Sequence, residues 1–306
     1  MLIYLIYRQL ISKNVTWINL VDVFVIEKNN LWFLAIAILL MPFNWFLESL
    51  KWKNLVNIIQ LNYSFINAII AVLIGVFFGF ITPNRIGEFG GRLFNINKSK
   101  RIDALNLSFV GGLSQFVVTF FIGFTSFELS SFSIIKFHFI FPVILFIILY
   151  IYFNIKTIIK FLVSFKFFKK LAEKYIFTFE ITKITLLETL LITIVRYCVY
   201  VIQYILILYF FGVELEFMFL FKIISIMILI QTILPTFALI DVGIRGNVLL
   251  FLLSNQVENQ LVIVISVLLV WILNLVIPAV IGYLIFLNQK MEANYEKSNF
   301  NIDNNI

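Results

Sequence analysis

The sequence predicts an all-α fold: a polytopic membrane helix bundle of about seven to eight spans with one or two re-entrant half-helices. Three observations carry this. Mean hydropathy is +1.05, and 62% of the 306 residues are hydrophobic while 13% are charged. The apolar residues fall in runs of about 20, the length at which a helix crosses the hydrocarbon of a bilayer. The polar residues gather in short clusters between those runs. The single cysteine, Cys198, lies inside an apolar run, which excludes a disulfide framework and a thiolate metal site. No metal site and no cofactor is expected. A formal charge of +7 suits an anionic membrane surface and not nucleic acid, because the basic residues sit in loops between spans. No positively charged leader precedes the first apolar run, so a cleaved signal peptide is not expected.

In chain order, Leu2–Leu10 is apolar but too short to span and reads as an interfacial segment or the stump of a helix. The first span is 31–50. It ends in Asn44-Trp45-Phe46-Leu47-Glu48-Ser49-Leu50-Lys51-Trp52-Lys53, where Trp45 and Trp52 share a helical face and Glu48 can pair with Lys51. This segment reads first as an interfacial anchor and second as a contribution to a site. The second span, 63–81, contains Gly75-x-x-x-Gly79, a pattern that lets helices approach closely. Spans follow at 104–127 and 139–153. The stretch 156–185 interleaves seven lysines with Phe and Ile, as an amphipathic helix on an anionic leaflet does, and the lysine excess places it in the cytoplasm. The basic loop 84–103 is expected on the same side. The span 186–211 carries Arg196 and Gln203 on one face. A charge at that depth must face the bundle interior, and Asp241 or Glu88 are its candidate partners. After the span 218–234 comes Pro235, then a polar cluster and the short apolar piece 248–253, which reads as a re-entrant half-helix. The last span is 261–287, and 288–306 is expected to be a polar, disordered tail.

Two polar clusters stand out from this background. The first is Thr82-Pro83-Asn84-Arg85-Ile86-Gly87-Glu88-Phe89-Gly90-Gly91-Arg92 and the second is Asp241-Val242-Gly243-Ile244-Arg245-Gly246. Both contain acid-x-Gly-x-Arg and both follow an apolar span and a proline, Pro83 or Pro235. Transporters often carry duplicated broken helices whose freed backbone and half-helix ends bind substrate. Counting four crossings between the clusters puts them on one face. If each is helical, the acid and the Arg are i,i+4 neighbours, and Arg85 joins Glu88 and Arg92 on one face. Such pairs either neutralise one another at helix ends or form a head-group site, in which guanidinium groups and glycine-exposed N–H groups take phosphate.

The residues Pro83-x-Arg85-x-Gly87-Glu88-x-x-x-Arg92, preceded by Asn44-Trp45-x-x-Glu48-x-x-Lys51-Trp52 and followed by Arg196-Tyr197, Gln203 and the 241–246 stretch, resemble the membrane region of the lysylphosphatidylglycerol synthetase family, the flippase-like domain. The likeness covers about residues 30–287. It implies an integral membrane flippase-like domain over 1–287, located as a multi-pass protein in the bacterial inner membrane. In bifunctional relatives this region is held to move aminoacylated phospholipid between leaflets, while a separate soluble domain attaches the amino acid. No such domain is recognised in this sequence, so the synthetase activity is not carried over.

The leading expectation is therefore a lipid translocase. Arg85, Glu88, Arg92, Arg196, Asp241 and Arg245 would line the head-group site, and Pro83, Gly87, Gly90, Gly91, Pro235, Gly243 and Gly246 would break and shape its helices. Membrane lipids, either anionic phospholipid or lipid-linked phosphate, are the expected partners. The alternatives are a non-catalytic membrane partner of envelope-lipid biosynthesis enzymes, or a membrane transferase acting on a lipid-linked substrate. The sequence shows no nucleotide-binding motif, so direct use of ATP is not expected.

Overall fold

The computed structural model describes residues 30–130, 140–158, 179–234 and 237–303. His138, the lysine-rich stretch 159–178, the N-terminal segment before residue 30 and Pro235 lie outside them. Every regular element among the described residues is helical, as the hydropathy pattern predicts. Ten α-helices are described: α1 (Leu31–Val56), α2 (Phe65–Ile81), α3 (Gly87–Gly91), α4 (Arg101–Glu128), α5 (Ile140–Phe153), α6 (Lys183–Phe210), α7 (Phe217–Ile233), α8 (Ala238–Leu253), α9 (Gln260–Trp271) and α10 (Ile277–Asp303). A π-helical turn, Ile272–Val276, joins α9 to α10. Among the described residues, four helical stretches are long and apolar enough to cross a membrane: Leu31–Val56, Lys98–Glu128, Lys183–Phe210 and Gln260–Met291. The protein is a multi-pass membrane protein. Side chains cap the starts of three helices: Ser64 Oγ accepts from Asn67 N, Thr182 Oγ1 from Thr185 N, and Asn259 Oδ1 from Leu261 N.

The contacts fix how the helices run. α1 and α6 are antiparallel: Phe33 meets Tyr209, Gln203 Nε2 donates to the Ala37 carbonyl, and Arg196 Nε donates to Asn44 Oδ1. The C-terminal end of α1 therefore lies beside the start of α6. α5 reaches the same end, where Tyr152 OH donates to the Leu186 carbonyl. Lys53, Lys98, Lys100 and Lys183 gather there, the basic end. The other end brings Phe127, Val213, Leu253, Val257 and Leu261 into one hydrophobic cluster. Glu128, Glu214, Glu216 and Glu258 flank it, making an acidic end.

Two hairpins are set into this frame. α2 leaves the basic end, turns at Pro83–Arg85, and the chain then folds back along it through α3. Gly91 packs on Gly75 and Ile74, and Lys100 Nζ closes onto the Ile59 carbonyl beside the start of α2. The Gly75-x-x-x-Gly79 pattern thus admits the returning arm of the same hairpin rather than another long helix: a Cβ on Gly75 would sit 2.9 Å from Arg92 Cγ and 3.0 Å from the Glu88 carbonyl oxygen. The second hairpin, α7 and α8, starts and finishes at the acidic end, and the piece 248–253 is the last part of α8. The two hairpins run in from opposite ends of the bundle. Three long elements, α4, α5 and α6, separate the hairpins. Their tips nevertheless meet, around Trp271, whose ring faces Phe80 and whose Nε1 donates to the Ala238 carbonyl. Residues 288–303 continue α10 as helix.

Candidate functional site

The first polar cluster is the tip of its hairpin. Thr82 leaves the helical conformation (φ −101°, ψ 148°), which frees its hydroxyl to donate to the Phe78 carbonyl at 2.9 Å and to accept from Gly87 N at 2.7 Å. Asn84 and Arg85 then adopt left-handed backbone, with φ of 51° and 57°. This conformation is uncommon for residues other than glycine and costs of order 1 kcal/mol each. It turns the chain within three residues and starts α3 close against α2. Gly87 is required at that point, because a Cβ would lie 2.4 Å from the Phe78 carbonyl oxygen.

α3 and the residue after it then carry the pairs that the spacing predicts. Arg85 Nη2 is 3.2 Å from Glu88 Oε2, and Arg92 Nη2 donates to Glu88 Oε1. Arg92 also reaches α1, 2.7 Å from Glu48 Oε1, while Glu48 Oε2 lies 2.8 Å from Lys51 Nζ and 2.7 Å from Arg196 Nη1. One carboxylate thus joins three cations from three elements. Glu48 and Lys51 are each only 2% exposed. The interfacial-anchor reading of this segment is therefore wrong. Trp45 and Trp52 are buried beside the charges: the Arg196 guanidinium lies 5.5 Å from the Trp45 ring centroid and that of Arg92 5.5 Å from the Trp52 ring centroid. The face that resembled an aromatic belt points inward because Arg92 and Arg196 supply countercharge there. Arg196 pairs with Glu48, and neither Asp241 nor Glu88 is its ion-pair partner.

The second cluster opens α8. Arg245 Nη2 donates to Asp241 Oδ2 at 2.5 Å, and its Nη1 donates to Tyr200 OH and, at 3.3 Å, to Tyr204 OH on α6. Gly243 and Gly246 lie within this helix, and the Gly243 carbonyl accepts from Asn247 Nδ2.

Between the hairpin tips lies a cavity of about 300 Å³. Arg85, Glu88, Arg92, Arg196 and Arg245 line it, so both clusters serve one space. Asp241 does not line it. That carboxylate holds Arg245 from behind. Lys51, Trp45, Asn44, Gln115, Tyr200 and Asn274 line it as well. Five cations therefore face two carboxylates. Among the buried atoms of the lining without a hydrogen-bond partner, the N–H donors Trp45 Nε1, Arg85 Nε, Arg92 Nε and Arg245 Nε outnumber the one carboxylate acceptor, Glu48 Oε2, which lies in ion pairs with Lys51 and Arg196. Buried donors are rarely left unmatched, and a surplus of them beside a positive field suits an anion.

From the cavity wall a polar relay runs inward. Arg196 Nε donates to Asn44 Oδ1, Asn44 Nδ2 to Asn274 Oδ1, Asn274 Nδ2 to Gln203 Oε1, and Gln203 Nε2 to the Ala37 carbonyl. Asn274 sits in the π-helical turn, a feature that often marks functional positions. Sequence reasoning missed Asn274, Gln115 and Tyr200. The one signal available for Asn274 was an amide inside the last apolar run.

The model of the family described as Lysylphosphatidylglycerol synthase TM region matches residues 17–282. No curated protein matches the chain. No solved structure matches it either.

Proposed function

The chain belongs to the lysylphosphatidylglycerol synthase TM region family, and we propose that it is a lipid translocase that moves an anionic head group, carried by a phospholipid or a polyprenyl phosphate, across a bacterial inner membrane. The family relates the protein to membrane-lipid modification or flipping. The observation that carries the finer reading is the cavity itself: five cationic side chains against two carboxylates, gathered where the tips of two oppositely directed hairpins meet. At about 300 Å³ it is at the small end of ligand-site volumes. It holds a head group and leaves acyl chains outside, in the bilayer. The two hairpins are read as re-entrant segments, one from each side of the membrane. A binding site between paired broken helices is the arrangement through which transporters open alternately to either side. We read the basic end as cytoplasmic, the side that a lysine excess favours.

Arg85 gives the cleanest test. It is 40% exposed at the cavity mouth, pairs only with Glu88 among the ion pairs described, and holds a left-handed backbone that glycine accepts without strain. The Arg85→Gly protein should fold as well as the wild type while its transfer of a fluorescent anionic phospholipid in reconstituted vesicles falls about tenfold or more, as expected when a charge-assisted contact is removed. Full transfer by a well-folded Arg85→Gly protein would sink the assignment.

A further inference from the structure

Resting on that head-group reading, we propose that the cavity selects a phosphodiester whose head is an uncharged polyol, and rejects the same lipid once an amino-acyl group makes its head cationic. The first argument is that the carboxylates are already committed. Both oxygens of Glu48 are held by Arg92, Lys51 and Arg196, and both oxygens of Glu88 by Arg85 and Arg92. An ammonium entering this space would find cations and no unpaired carboxylate. In a buried site, where charges are poorly screened, that repulsion is strong.

The second argument is that the lining divides into two walls. The cations come from α1, the first hairpin, α6 and α8. α4 and α7 add no charge: their polar side chains are Ser108, Gln115, Thr119, Gln231 and Thr232, beside Gly111, Gly112 and Ile228. These two helices are pressed together, since a Cβ on Gly123 would lie 2.6 Å from Leu229 Cβ. Gln115 is held in place by accepting from Arg196 Nη1 at 3.3 Å and donating to Thr119 Oγ1 at 3.4 Å. Ser108 Oγ is buried without a hydrogen-bond partner on this wall. A phosphate on the cationic side leaves the remainder of a head group against amides and hydroxyls. Hydroxyls, which donate and accept, satisfy such a wall. A methyl group leaves it unmatched, and sites built to bond a hydroxyl discriminate strongly against its absence.

The test uses the purified full chain in nanodiscs holding equal amounts of phosphatidylglycerol, phosphatidylmethanol and lysyl-phosphatidylglycerol with the same acyl chains. Native mass spectrometry reads the lipid retained. Phosphatidylglycerol should exceed lysyl-phosphatidylglycerol by about tenfold, the size of one lost charge-assisted contact, and should also exceed phosphatidylmethanol, which has the same charge and no hydroxyl. In the paired variant Ser108→Ala, Gln231→Leu, the ratio of phosphatidylglycerol to phosphatidylmethanol should fall toward one. Equal or greater retention of the lysyl lipid overturns the exclusion of cations. Equal retention of glycerol and methyl esters by the wild type overturns the polyol assignment. Retention of none of the three overturns the head-group reading beneath both, a result distinct from either.

Discussion

At the scale of the residue, Glu48 decides more than any of the arginines, because it is the anion that Arg92, Lys51 and Arg196 share. Removing one partner from a buried ion pair leaves the others uncompensated and costs about 3–5 kcal/mol, whereas an exposed pair contributes about 0–1 kcal/mol. Glu48→Ala should therefore lower the unfolding temperature in detergent far more than Arg85→Gly does. A change as small as that of Arg85→Gly would return Glu48 to the interfacial role first read from the sequence. Part of this site was legible in the chain. The spacing of Glu48 and Lys51, of Arg85, Glu88 and Arg92, and of Asp241 and Arg245 each announced a pair, because i,i+3 and i,i+4 neighbours meet on any helix. What the chain could not show was the direction of the face carrying Trp45 and Trp52. Two tryptophans seven residues apart serve a membrane interface or a buried cation equally well, and the choice depends on Arg92 and Arg196, 40 and more residues away. Gln115, Tyr200 and Asn274 were illegible for the same reason: each is an ordinary polar residue until other helices bring a guanidinium or an amide to it.

At the scale of the element, the first hairpin depends on how closely its two arms approach, and its two neighbouring glycines separate that requirement from helix propensity. A Cβ on Gly91 would sit 2.7 Å from Gly75 Cα and 2.9 Å from the Ile74 carbonyl oxygen, both backbone atoms that cannot rotate away. A Cβ on Gly90 would meet nothing within 4 Å. Gly91→Ala should destabilise by about 1–3 kcal/mol, the usual effect of overfilling a packed contact. Gly90→Ala should be neutral, or stabilise by about 0.5–1 kcal/mol through helix propensity. Thermal unfolding of the two variants side by side checks this, and equal behaviour would mean that the arms are not in contact. The starts of the long helices were readable from hydropathy to within about three residues, and so were the breaks at Thr82 and Leu234, whereas the ends of the first and last were not: α1 runs on to Val56 and the last stretch to Asp303. The return of the chain was not readable either. A mostly apolar helix of 17 residues such as α2 or α7 is near the lower limit for a crossing, so composition alone favours a full span. Gly75, Gly79, Gly87 and Gly91, which let a second arm lie against the first, are the features that could have indicated a hairpin.

At the scale of the whole molecule, the order helix, hairpin, helix occurs twice with opposite direction: α1, the first hairpin and α4, then α6, the second hairpin and α9 to α10. This order has a consequence for topology that the count of apolar runs does not share. If α7 and α8 form a hairpin that enters and leaves on one side, Glu216 before α7 and Glu258 after α8 face the same compartment. Lys98 and Lys183, separated by α4 and α5, then face the opposite one. In a background where Cys198 is replaced by Ser, single cysteines placed at these four exposed positions report their side through an impermeant maleimide. Glu216→Cys and Glu258→Cys should label from outside intact cells, and Lys98→Cys and Lys183→Cys only in inverted vesicles, in keeping with the lysines at the basic end. Labelling of Glu216→Cys and Glu258→Cys from opposite sides would make the second hairpin a full crossing. It would also remove the opposition of the two tips, and with it the physical basis for a site that opens to each leaflet in turn, since a cavity closed by two hairpins from the same side has no second gate to release its lipid.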